Sequence, residues 1–241
     1  MELIILAAGK GSRIFNNIKK NKCLININGK SLIEKIIYDA NNLKIFNKIK
    51  VVVGYKKDNI KKELKKYKIE YIYNKDFSNK EMLHSLKLGI QKSKEDVIIT
   101  YSDIIYSKKI FTQIYKSRQK NKFILPIKKN WKGVWIKRKK AILDDCESLL
   151  YDKNFHLKEI GNPIKSPNDP MGQFMGIFFI PKKKIKRTVQ LINLNKKNKK
   201  MHTTNFLNYL AKNNEKIYNI PLYSNWYEFD DYQDYLGFFR K

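Results

Sequence analysis

An α/β fold built on a mostly parallel sheet is the prediction, and three observations carry it. Short apolar runs with the length and branching of buried strands recur at Leu3 to Leu6, Lys48 to Tyr55, Ile69 to Asn74 and Asp96 to Ile105. Between them lie segments with apolar residues at three- and four-residue steps, as from Ser31 to Ala40 and from Asp58 to Tyr67. The first run ends abruptly in two alanines, two glycines and an arginine, Ala7 to Arg13, which reads as a strand entering an anion-sized turn. Strands and helices alternating at this interval imply right-handed crossovers and a ligand crevice at the carboxyl ends of the strands.

The composition permits such a fold. A chain of 241 residues, 42% hydrophobic, can bury a substantial core, and no apolar run is long enough to span a bilayer. We expect one domain over residues 1–241, its first half (about 1–120) forming the turn-bearing crevice and its second (about 121–241) completing it. The N-terminal apolar stretch lacks a basic start and a cleavage site, so it is expected to be strand rather than signal peptide. Cys23 and Cys146 have no metal-ligand or C-x-x-C spacing, and reduced thiols in a cytoplasmic protein account for them. The 51 Lys+Arg against 22 Asp+Glu give a formal charge of +29. The lysines are spread through the chain with abundant Ile and Asn, as a codon bias would produce, and no specific nucleic acid or membrane insertion is expected. Clusters such as Lys56-Lys57, Lys182 to Lys186 and Lys196 to Lys200 read as solvated faces, although the summed field attracts polyanions at low salt.

Taken in order, Gly9 and Gly11 allow close backbone approach and positive φ, and Arg13 adds a fixed charged fork. The spacing is neither the Walker pattern nor G-x-G-x-x-G, so by itself it fits a tight βα turn equally well. A polar segment, Asn16 to Asn21, precedes Leu24 to Lys30, where Asn28-Gly29 marks a turn, and Ser31 is placed to cap the first long helix. A helix opens at Glu81, and His84 within it reads as a packed histidine. The apolar run Asp96 to Ile105 delivers Asp103 as a metal-binding carboxylate at the crevice or as a cap for a helix from Ser107. Phe123 to Ile127 is a further strand. Beyond it, Trp131, Trp135, Arg138, Asp144, Asp145 and Glu147 supply either core packing or an aromatic and acidic pocket for an ammonium group. Asn162 to Pro170 reads as a lid or a contact between two copies in a homodimer, and Gly172 to Ile180 as one strand. Helices over Thr188 to Leu194 and Thr204 to Lys212 and a short strand from Ile217 to Pro221 follow. Trp226, Glu228 and Asp230 then share one face of an extended segment, while Asp231 and Asp234 serve the last helix. Only three histidines occur, none paired at ligand spacing, which argues against a zinc site or a histidine-based triad.

The run Leu6-Ala-Ala-Gly-Lys-Gly-Ser-Arg13, with Lys22-Cys-Leu24 and Gly29-Lys-Ser-Leu32, resembles the opening of the nucleotidyltransferases that activate sugar phosphates or small alcohol and amine phosphates. The resemblance implies a Rossmann-like three-layer α/β/α fold with a mostly parallel mixed central sheet. It also implies that Leu6, Ala7, Ala8, Gly9, Gly11, Ser12 and Arg13 wrap a nucleoside triphosphate and that Lys22 meets its α-phosphate. Asn21 stands where most members carry proline. Ser85 and Tyr101 fall at nucleotide-contacting positions, and Asp103 and Asp230 match the two aspartates that bind Mg2+. The W-x3-W-x2-R pattern followed by Asp145-Cys-Glu147 is similar to the phosphocholine and 2-aminoethylphosphonate cytidylyltransferase-like branch. On that resemblance the donor is CTP, and the acceptor, a small phosphorylated amine, amino-acid derivative or phosphonate, meets Trp131, Trp135, Asp145, Glu147, Gln173, Trp226 and Glu228. Arg13 and Lys22 are the expected catalytic cations, and the product is expected to decorate a cell-surface polymer. A sugar 1-phosphate acceptor and a non-catalytic basic RNA-binding protein are the alternatives.

Overall fold

The computed structural model describes residues 1–78, 82–119, 121–138, 141–194 and 201–239; Glu81 and the cluster Lys196 to Lys200 lie outside them. The chain runs β1 (Glu2–Ala7), α1 (Ser12–Ile18), β2 (Asn26–Ile27), β3 (Lys30–Ser31), α2 (Leu32–Asn41), β4 (Lys48–Val53), α3 (Lys57–Glu63), β5 (Glu70–Tyr73), α4 (Met82–Ile90), β6 (Val97–Tyr101), β7 (Ile104–Tyr106) and α5 (Lys109–Ser117). It continues through β8 (Phe123–Lys128), α6 (Lys132–Arg138), α7 (Ile142–Asp145), β9 (Glu147–Tyr151), β10 (Leu157–Pro163), β11 (Gln173–Phe174), β12 (Ile177–Ile180), α8 (Lys182–Leu194), α9 (Thr203–Lys212), β13 (Ile217–Leu222), β14 (Trp226–Glu228) and α10 (Tyr232–Phe239).

The main sheet has the order β11-β8-β12-β6-β1-β4-β5, with β13 also paired to β8. The β1, β4, β5 and β6 pairings and the β8–β13 pairing are parallel, while β11 and β12 pair antiparallel. β1 is buried along its whole length because both faces of the sheet are covered. Leu3 and Ile5 point into one core with the apolar stripes of α2, α3 and α5, and Ile4 and Leu6 into the other with α4, α8 and α9. That is the three-layer arrangement expected from the sequence. Ser31 caps α2, its hydroxyl accepting from the Glu34 N–H at 3.2 Å.

Several boundaries differ from the sequence reading. The glycine turn runs into a helix, α1, which takes in the first half of the polar stretch, Asn16 to Ile18. The run Asp96 to Ile105 is two strands, β6 and β7, with Ser102 and Asp103 at the break between them, so Asp103 stands in a loop and caps no helix. Gly172 to Ile180 is likewise divided. Gly176 takes φ +71°, and a Cβ there would lie 2.9 Å from the Tyr101 ring, so only glycine lets this backbone pass. Asn162 and Pro163 belong to β10, in a β9–β10 hairpin, which shortens the expected loop.

Candidate active site

Topology brings the two ends of the chain together. β1 delivers the turn Ala8 to Gly11 at its carboxyl end, next to the end of β6, with which β1 pairs in parallel. β14 pairs antiparallel with β7, setting Glu228 opposite Ile104, and the Phe229 N–H donates to the Asp103 carbonyl at 3.0 Å. Asp230 therefore arrives beside Asp103. One ammonium measures the result: Lys22 Nζ lies 3.0 Å from Asp103 Oδ2 and 3.2 Å from Asp230 Oδ1, and Arg13 also pairs with Asp230. Burial alone would lower the Lys22 pKa, but the two carboxylates together outweigh it and hold the ammonium above its ordinary range.

In the turn, Gly11 has φ +59° and a Cβ would sit 3.0 Å from Lys22 Cβ, so this glycine is required. Gly9 is not in the left-handed region, contrary to expectation; a Cβ there would meet nothing within 4 Å, leaving its backbone open on the cleft side.

The cleft has two halves that share Arg13, Lys22, Met82, Asp103 and His202. The first, about 360 Å³, is lined by Leu6, Ala7, Ala8, Gly9, Gly11, Ser12 and Ser85 of the expected nucleotide set. Tyr101 lines the other half instead, because its ring turns towards Gly176. Ser85 is fixed by Asn74, whose Nδ2 donates to its Oγ at 2.9 Å, leaving the serine proton available to a ligand. The sequence reading missed Asn74, Phe77 and Ser102 in this half. Asn74 ended a strand and gave no sign that its side chain turns inward. His84 pairs with Asp76 at 3.5 Å and does not line either half.

The second half, about 290 Å³, holds Trp135, Asp145, Glu147, Gln173, Glu228 and Asp230. Trp131 and Trp226 are a correction. They are 2% and 4% exposed and pack in the core, Trp226 stacked on Trp135 at 6.0 Å with its Nε1 donating to the Met175 carbonyl. Of the three tryptophans, one reaches the cleft and the other two support it. Arg138, expected either in the core or in this pocket, does line it, whereas Phe174, His202, Thr203 and Thr204 were not singled out as lining residues. For Arg138 the W-x3-W-x2-R spacing was the available signal, since one helical turn puts it over the Trp135 ring, 4.8 Å from its centroid.

Arg138 anchors the site. Its Nε and Nη2 donate to the two oxygens of the fully buried Asp234 at 2.7 and 3.1 Å. Asp234 in turn accepts from the Asp230 and Asp231 N–H groups, and Asp231 Oδ1 accepts from the Asp234 N–H at 3.1 Å, a reciprocal cap on α10 that fixes the Asp230 backbone. Burial pushes the Glu228 carboxyl up to about 7, against the Arg138 charge, with Asp103 and Asp230 adding to the rise. Burial also raises Glu147, which accepts from Thr204 Oγ1 at 3.3 Å. Two carboxylates facing one point, at the edge of an anion-cradling turn, are hard oxygen donors of the kind Mg2+ takes, so Asp103 and Asp230 fit a divalent cation.

Comparison with known proteins agrees with this geometry. Residues 3–160 match the family described as MobA-like NTP transferase domain. The chain is 28% identical over 252 aligned positions to CTP:phosphoglutamine cytidylyltransferase of Campylobacter jejuni subsp. jejuni serotype O:2, covering 97% of each protein. Among solved structures, CTP:phosphocholine cytidylyltransferase from Streptococcus pneumoniae superposes with a TM-score of 0.76 at 20% identity, covering 98% of this chain and 96% of that one. The inositol-1-phosphate CTP transferase from T. maritima superposes with a TM-score of 0.71 at 16% identity, covering 97% and 90%. These structures share the Rossmann-like nucleotidyltransferase fold, and the chain belongs to the MobA-like NTP transferase family, a nucleotidyltransferase as its opening residues imply.

Proposed function

We propose that this protein transfers CMP from CTP to a small phosphorylated amine or amino-acid derivative, releasing pyrophosphate. One observation carries the reading. The half of the cleft that cradles anions opens, across Lys22, into a half lined by Asp145, Glu147 and Glu228, acids suited to a cationic group. CTP as donor rests on the names of the relatives above.

An acceptor phosphate is already ionised at neutral pH, so no strong base is needed. Its oxygen forms a bond to the α-phosphorus as the bond from that phosphorus to the β-phosphate oxygen breaks, and pyrophosphate leaves. The protein's work is to hold two polyanions together and to neutralise the charge that develops. Lys22, common to both halves, stabilises the α-phosphate, and Arg13 the departing pyrophosphate. Asp103 and Asp230 would hold Mg2+, which when bound supplies charge neutralisation to the triphosphate. The fixed Ser85 hydroxyl contacts the base.

Pyrophosphate release with each of the four NTPs, crossed with phosphorylated amines, phosphorylated amino acids and sugar 1-phosphates, tests this. Turnover is expected with CTP and a nitrogen-bearing acceptor, and Asp103→Asn is expected to lower it by at least ~10²-fold. Turnover confined to sugar 1-phosphates would refute the acceptor class, and no release with any pair would favour a basic RNA-binding protein.

A further inference from the structure

The N-terminus of α9 enters the acceptor half of the cleft uncapped. His202 occupies the capping position with extended backbone (φ −73°, ψ 162°), and its side chain bonds none of the first-turn N–H groups, unlike Ser31 on α2. Thr203 is 1% exposed; its Oγ1 lies against the Tyr101 hydroxyl but makes no well-formed hydrogen bond among the described residues. A buried hydroxyl left so costs free energy unless something else answers it. Both features face a cleft lined by His202, Thr203 and Thr204.

From this we infer that the α9 N-terminus, with the Thr203 hydroxyl, receives the carboxylate of an acceptor that also bears an amino group, making the substrate class a phosphorylated α-amino acid. A ten-residue helix presents its positive end and N–H donors to an anion. Thr204 ties this position to Glu147 at 3.3 Å, so donors for a carboxylate adjoin an acid for an ammonium, matching two groups carried on one carbon. The cations elsewhere in this half are already paired, Arg13 and Lys22 with Asp230 and Asp103, and Arg138 with Asp234. Two other buried donors there lack a hydrogen bond among the described residues, Trp135 Nε1 and Arg138 Nη1, and the latter already faces Asp145 Oδ2 at 3.4 Å. The inference rests on the nitrogen-bearing acceptor proposed above and goes further by requiring the second charge.

The test pairs each phosphorylated amino acid with its decarboxylated counterpart: O-phospho-L-serine against phosphoethanolamine, and phosphoglutamine against phosphorylated 4-aminobutanamide, each with CTP and Mg2+. The amino acid is expected to be favoured by at least ~10-fold in kcat/KM, the scale of one charge-assisted hydrogen bond. Thr203→Val is expected to bring that ratio towards one and Thr203→Ser to preserve it. The wild-type ratio stands as evidence by itself if the valine variant does not fold. Equal turnover of both members of each pair would overturn the carboxylate site while leaving the proposed function in place. No turnover of any nitrogen-bearing acceptor would overturn both.

Discussion

Replacing Lys22 by methionine should expose how much of this site is held by one ammonium. Asp103 and Asp230 both pair with Lys22 Nζ, at 3.0 and 3.2 Å. With the ammonium gone, two carboxylates at most about 6 Å apart repel by at least about 2–3 kcal/mol at an effective dielectric of ~20. Both acids are less than one-fifth exposed, so water relieves only part of this. For a chain of this size that corresponds to a melting temperature lowered by roughly 5–10 °C in chelator. Mg2+ at millimolar concentration should restore most of the loss in Lys22→Met and do little for the wild type, where the ammonium competes for the same place. Turnover should stay at least ~10²-fold down whatever the metal concentration, because the charge opposite the α-phosphate has been removed. Differential scanning fluorimetry in chelator and in Mg2+, beside pyrophosphate release, measures both. An unchanged melting temperature in chelator, or near-normal turnover, would refute the reasoning.

Three further outcomes are expected. Gly11→Ala forces a side chain into φ +59° and against Lys22 Cβ, costing about 1–2 kcal/mol and depressing turnover, whereas Gly9→Ala should leave stability unchanged and raise the KM for nucleotide; urea denaturation and initial rates separate the two. Asp234→Ala strands the buried Arg138 and frees the Asp230 backbone, so unfolding free energy should fall by about 3–5 kcal/mol, and a loss below about 1 kcal/mol would contradict the anchoring role. Glu147 has a raised pKa, so the folded state keeps a proton that the unfolded chain gives up, and stability must fall as pH rises from the ordinary carboxylate range towards the folded value. Glu147→Gln should therefore flatten that part of the melting curve from pH 4 to pH 8 and melt above the wild type at its upper end; parallel curves would exclude a buried, costly carboxylate.

Local signals in the sequence were informative where the physics is local. The capping hydroxyl of Ser31, the buried run of β1 and the glycine turn before Arg13 are all decided by residues within one or two turns of each other. The breaks at Ser102–Asp103 and at Gly176 were not visible, because each exists to accommodate the other segment: the Tyr101 N–H donates to the Gly176 carbonyl at 2.8 Å across about seventy-five positions of sequence. The tryptophans show the same limit. Spacing alone cannot say which indole faces a cleft, and here Trp135 does so because Trp131 and Trp226 pack against it. The lining by His202 to Thr204 was missed because a helix start reads identically whether it meets solvent or ligand. Comparison established the family, while the roles of single site residues rest on their geometry.

The reciprocal cap on α10 has a consequence for how the protein is made and damaged. Gly9 leaves the ribosome more than two hundred positions ahead of Asp230, Asp234 and their helix, and the carboxylate pair exists only once that later segment has docked onto Arg138. A nascent or clipped chain that stops after β13 would keep the glycine turn and Ser85 but lack the second acid. Such a species would be expected to capture nucleotide without consuming it.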